Sequence, residues 1–146
     1  MKTDRALPIA LIGLALALAA CSSTASPSAS TTASTTPTTI TGTLTEYKID
    51  LSATTAPAGS VTFNVTNNGT MVHEFVILKT DTLAKDLPLV NGVVVEDDYS
   101  PVGEVPETAA GKSGTFTATL AAGHYAIICN LVGHVAQGMV TDFTVN

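Results

Sequence analysis

The sequence predicts an all-β protein, an antiparallel sandwich of about seven or eight strands, and three observations predict it. Short runs of alternating apolar and polar residues are separated by Gly, Pro and Asn turn signals. No long stretch carries the 3.6-residue apolar period of a helix. The part with strand patterning, roughly a hundred residues, is the size of a single small domain, and no internal repeat divides it.

Taken in order, the chain opens with a targeting pattern rather than structure. Lys2 and Arg5 precede an apolar run from Ile9 to Ala20 that is short for a bilayer span. The run ends Leu18-Ala19-Ala20-Cys21, and small residues before a Cys here resemble the lipobox of bacterial lipoproteins. That resemblance implies a signal peptide at 1–20, removed so that Cys21 becomes a lipid-bearing N-terminus outside the cytoplasm. Each buried methylene contributes about 0.8 kcal/mol, and two or more chains anchor a protein stably. Ser22 to Thr39 is only Ser, Thr, Ala and Pro. With almost no apolar surface to offset the entropy of ordering, residues 21–40 are expected to be a disordered tether with a typical reach of about 20–25 Å.

Strands are expected next at Leu44–Leu51, at Val61–Thr66 after the Ala56-Pro57-Ala58-Gly59 turn, and at His73–Lys79, where His73, Phe75 and Ile77 share a face. Thr80 to about Pro101 is irregular, with a short helix expected over Thr80–Leu87, capped by Thr80 or Asp81 and ended by Pro88. The acidic cluster Glu96-Asp97-Asp98 falls in the same insertion. Strands resume at Gly114–Leu120, with Phe116, Ala118 and Leu120 inward. His124–Cys129 is apolar on both faces and reads as a central strand, and Met139–Val145 closes the sheet.

Chemistry concentrates in Cys129-Asn130-Leu131-Val132-Gly133-His134-Val135-Ala136-Gln137-Gly138-Met139, where a thiol, an imidazole and a thioether recur with four residues between each. Two imidazoles and a thiolate in a plane, with a long axial thioether, are the donors of a blue-copper site. The remaining imidazole must come from His73 or His124, because the chain holds three histidines. His73 opens a strand after the turn Asn67-Asn68-Gly69; His124 lies in a turn on a pleat face different from that of Cys129. Met71 is a rival thioether, placed before a strand rather than at the end of the ligand loop. Cysteine usage points the same way. If lipid takes Cys21, Cys129 is a solitary thiol in an oxidising compartment, where ligation protects it from oxidation.

From Thr41 to Asn146 the pattern resembles the cupredoxin family, the small blue-copper proteins: an N-x-G turn, a His at a strand start, then a distant Cys–His–Met loop between the last two strands. The four-and-four spacing is similar to the rusticyanin, sulfocyanin and auracyanin type. The resemblance implies a Greek-key cupredoxin-like sandwich over 41–146 that binds one type 1 copper ion. It implies His73, Cys129 and His134 as equatorial ligands and Met139 as the axial one. The position after the first His is Glu74, where many members carry Asn; its backbone N–H is expected to donate to the Cys129 sulfur. Zinc suits Cys and two His but seldom takes a thioether, so Met139 favours copper.

The histidine count leaves only His124 for a second centre, and no Ser/His/Asp set, phosphate loop or paired carboxylates stand out, so no enzyme is expected. The net charge is −6. Once the leader is gone the basic residues are Lys48, Lys79, Lys85 and Lys112 against eleven acidic ones, which disfavours nucleic acid. Such a surface suits a basic redox partner, such as a cytochrome or a membrane oxidase subunit. A monomeric, membrane-tethered electron carrier is the expected function. The alternative is an extracytoplasmic protein that delivers or buffers copper without redox turnover.

Overall fold

The computed structural model describes residues 34–146, with side chains from residue 37 onward. The expected leader at 1–20, the expected lipidation site Cys21 and the first part of the expected tether lie outside the described residues.

Among the described residues nine strands form two facing sheets. β1 (Ser34–Thr45), β2 (Lys48–Leu51), β4 (Gly59–Asn67) and β7 (Ser113–Leu120) make one, in the order β2-β1-β4-β7. β3 (Thr55–Ala56), β5 (His73–Lys79), β6 (Ser100–Thr108), β8 (Gly123–Ile128) and β9 (Val140–Val145) make the other, in the order β3-β9-β8-β5-β6. The sandwich is therefore all-β, but its sheets are mixed rather than purely antiparallel. β1 lies parallel to β4 and β3 parallel to β9. The reason is connectivity: between β2 and β4 the chain leaves the first sheet for β3 in the second, so β4 returns beside β1 in the same direction.

Four local outcomes differ from the sequence reading. β1 begins at Ser34, inside the stretch assigned to the tether, because a backbone ladder needs no apolar side chains. Thr38, Thr39 and Ile40 pair with Val61, Thr62 and Phe63, and Ile40 anchors the segment at 2% exposure. The run Leu44–Leu51 is not one strand but a hairpin, turning at Glu46-Tyr47 so that Leu44 pairs with Ile49. Thr80–Leu87 holds only a 3₁₀ turn at Ala84–Asp86 with no side-chain cap, since the Thr80 hydroxyl accepts from Thr82 N instead. β6 is a strand the sequence hides behind Pro101 and Pro106. It lies at the edge of its sheet, where a missing N–H costs no ladder bond.

Phe63 of one sheet packs on Phe75 and Phe143 of the other at ring-centroid distances of 5.5 and 5.4 Å, and this aromatic contact centres the core. Cys129 and Met139 belong to that same buried cluster. A second cluster, Val76, Leu78, Ala126 and Ile128, lies on the opposite face of the second sheet beneath Ala84, Leu87 and Val94. The insertion between β5 and β6 thus covers that face, which explains why β8 is apolar on both sides. Side chains hold the insertion down: Asp142 accepts from Ala84 N at 2.8 Å, and Asn130 exchanges bonds with Val94 N and O at 2.7 and 2.9 Å.

Candidate metal centre

Strands β5 and β8 are antiparallel neighbours, so the start of one and the end of the other lie at the same end of the sheet. His73 is the first residue of β5, and Cys129 follows the last residue of β8. The chain then loops from Cys129 to β9, and backbone bonds make that loop compact. His134 N donates to Leu131 O at 2.9 Å, Met139 N to His134 O at 3.0 Å, and Cys129 N to Met139 O at 3.0 Å. Gly133 and Gly138 take φ of +84° and +94°, the left-handed conformation that turns the chain just before His134 and Met139.

Three donor atoms meet there. His73 Nδ1 and His134 Nδ1 are 3.3 Å apart, and the Cys129 Sγ lies 3.8 Å from the first and 3.2 Å from the second. A first-row ion in a trigonal plane, with bonds of about 2.0–2.1 Å to nitrogen and about 2.3 Å to sulfur, separates its donors by roughly 3.5–3.8 Å. The three residues fit such an ion with adjustments of about half an ångström at most, the largest between Cys129 and His134. His73, Cys129 and Met139 are wholly buried and His134 is 6% exposed. Met139 contributes a buried thioether tied by backbone to both Cys129 and His134, whereas the rival Met71 is 44% exposed. His124 stays outside the centre, bonded to Thr80 O at 2.6 Å and Asp142 Oδ1 at 3.0 Å.

Burial pushes the Cys129 thiol up, and the N–H groups of Glu74 and Leu131 only partly offset it. Burial, then the neighbouring His73, holds His134 below the usual histidine range. A thiol and two imidazole nitrogens that converge in a buried place are a donor set suited to a cation. The Glu74 N–H does reach the sulfur, at 3.4 Å. The Glu74 carboxyl, half-buried and facing Glu104 and Glu96, is itself pushed up, first by burial and then by those charges.

Residues outside the ligand motif complete the surroundings. Buried Asn67 accepts from Gly69 N at 2.9 Å and donates to Met71 O and Thr108 O at 2.7 Å each, fixing the turn that delivers His73. The β1–β2 turn supplies two groups that no sequence signal marks, because they lie more than twenty residues from any ligand. Glu46 Oε1 is 3.6 Å from His73 Nε2, and the Tyr47 ring stands edge-on to His134 at 5.2 Å.

The model of the cupredoxin-like domain matches residues 9–141. The chain belongs to the cupredoxin family. Among curated protein sequences none is significantly similar. Among solved structures, this cupredoxin is similar to dithionite-reduced auracyanin from the photosynthetic bacterium Roseiflexus castenholzii, at 24% identity and TM-score 0.60, over 75% of this chain and 97% of that one. It is similar to auracyanin A, a "blue" copper protein from the green thermophilic bacterium Chloroflexus aurantiacus, at 25% identity and TM-score 0.57, over 76% of this chain and all of that one. Rusticyanin from Thiobacillus ferrooxidans matches at 20% identity and TM-score 0.60, over 75% of this chain and 77% of that one. At these identities the structural matches speak to the fold; the donor set speaks to the chemistry.

Proposed function

We propose that this cupredoxin is a type 1 copper protein that carries single electrons between redox partners outside the cytoplasm, tethered to a membrane by lipid on Cys21. The observation that carries the reading is the convergence of two imidazole Nδ1 atoms and one thiol within 3.8 Å, next to a buried thioether. His73, Cys129, His134 and Met139 would hold the ion. Bound copper supplies a one-electron couple and an intense thiolate charge-transfer band.

The protein's part is to keep its donors where they are. Cys129 and His73 stand on adjacent strands of a packed sandwich, and the loop carrying His134 and Met139 is closed by its own backbone bonds. Burial excludes water and favours retention of the metal, which supports a carrier over a delivery protein that must release its cargo. His134 is the ligand candidate with any exposed edge, and Val132 beside it is 76% exposed, so a partner that excludes water would dock there. The acidic surface suits a basic partner such as a cytochrome or an oxidase subunit.

The test is the visible spectrum of purified protein loaded with Cu(II). An intense thiolate band with reversible one-electron reduction supports the carrier. Copper that exchanges readily with chelators, without fast electron exchange, supports delivery instead. For the anchor, Cys21→Ala is expected to abolish lipid labelling and membrane association, and normal labelling of that variant refutes it.

A further inference from the structure

With Nδ1 of His73 turned toward the other donors, its proton belongs on Nε2. That nitrogen is wholly buried and, among the described residues, has no hydrogen-bond partner. The nearest carboxylate is that of Glu46, whose Oε1 lies 3.6 Å away, too far for a hydrogen bond but close enough for a charge to act.

The carboxylate is held there by several groups. The same Oε1 accepts from Thr70 N at 2.6 Å, Met71 N at 2.9 Å and Thr70 Oγ1 at 3.1 Å. These three bonds to one oxygen fix the carboxylate on the turn. Its seat depends on Gly69, because a Cβ at that position would lie 2.7 Å from Oε1. A turn built around an absent side chain thus presents a fixed negative charge to the outer nitrogen of a ligand histidine.

We propose that Glu46 is a positioning residue of the metal centre: seated on the 69–71 turn, it orients and polarises His73 through Nε2–H and biases bound copper toward the oxidised state. The inference rests on the copper reading above. Carboxylates behind metal-bound histidines raise ligand basicity, and a fixed negative charge favours Cu(II) over Cu(I) by simple Coulomb attraction. Glu46 is not among the converging donors, so it acts through His73 and its own field.

The experiment compares the full-length wild type, Glu46→Gln and Gly69→Ala by competitive titration with Cu(II) and, separately, Cu(I) chelators, together with thermal unfolding of each apoprotein. Glu46→Gln keeps an amide oxygen to accept from Thr70 and Met71 but removes the charge. It is expected to weaken Cu(II) binding about tenfold, leave Cu(I) binding unchanged and leave the apoprotein midpoint close to wild type. Gly69→Ala, which displaces the carboxylate, is expected to do the same, weakening Cu(II) binding and leaving Cu(I) binding unchanged. Unchanged affinities in both variants, or equal losses for both ions, overturn the proposal and make Glu46 a turn cap only. A wild type that binds copper without a thiolate band overturns the copper reading itself, and this inference with it.

Discussion

His73 Nδ1 and His134 Nδ1 face each other across 3.3 Å, with the Cys129 sulfur 3.2 Å from the second. Two nitrogens that close, in a buried place, tolerate at most one proton between them. The arrangement gains from a cation and loses from added protons, and several consequences can be measured.

Copper binding should release one proton near neutral pH. The apo thiol is held protonated by burial, so its proton must leave when sulfur becomes a ligand, while His134, held below its usual range, contributes none. Apparent Cu(II) affinity is therefore expected to rise about tenfold per pH unit between roughly pH 7 and 8. Calorimetry in buffers of different ionisation enthalpy counts the protons directly. A pH-independent affinity would exclude the thiolate as ligand.

Cys129→Ser should remove the charge-transfer band and leave the fold intact. Cys129 is wholly buried, and the Glu74 N–H remains as a donor to the new hydroxyl oxygen. A stability loss of about 1 kcal/mol is expected for the apoprotein, measured by urea unfolding. An undiminished band would place the copper elsewhere.

Asn67→Ala should loosen the centre from a distance. Its side chain makes three hydrogen bonds, to Gly69 N, Met71 O and Thr108 O, the last of them buried, and all three are lost with the amide. The expected cost is about 2–4 kcal/mol in apoprotein stability, with a broadened visible band because the turn that delivers His73 is no longer held. Wild-type stability would show that water takes over the role.

Val132→Glu should slow electron exchange without disturbing the centre. Val132 is 76% exposed, so its replacement should change stability by less than about 0.5 kcal/mol. A charge beside His134 disfavours the water-excluding contact that electron exchange requires. Self-exchange between oxidised and reduced copies, followed by NMR line broadening, is expected to fall roughly tenfold at an unchanged visible spectrum. An unchanged rate would mean that electrons leave elsewhere.

The sequence by itself determined the all-β class, the strand His73–Lys79 to the residue, and the central position of the strand before Cys129, because each is written in local pattern, a period of two and turn residues. The spacing of Cys129, His134 and Met139 marked three candidate donors, and His73 joined them through the cupredoxin resemblance. What only the tertiary structure decided has no local signature. The parallel pairing of β1 with β4 depends on a chain crossing between sheets, and the strand at Ser100–Thr108 shows its edge position, which excuses its prolines, only once the sheet is assembled. The donors of His73 and Cys129, 56 residues apart, meet because β5 and β8 are neighbours. Glu46 reaches His73 because the 69–71 turn folds its amides onto the carboxylate where a glycine leaves room. Such contacts depend on the relative placement of strands distant in sequence, and burial in a common core is what holds that placement.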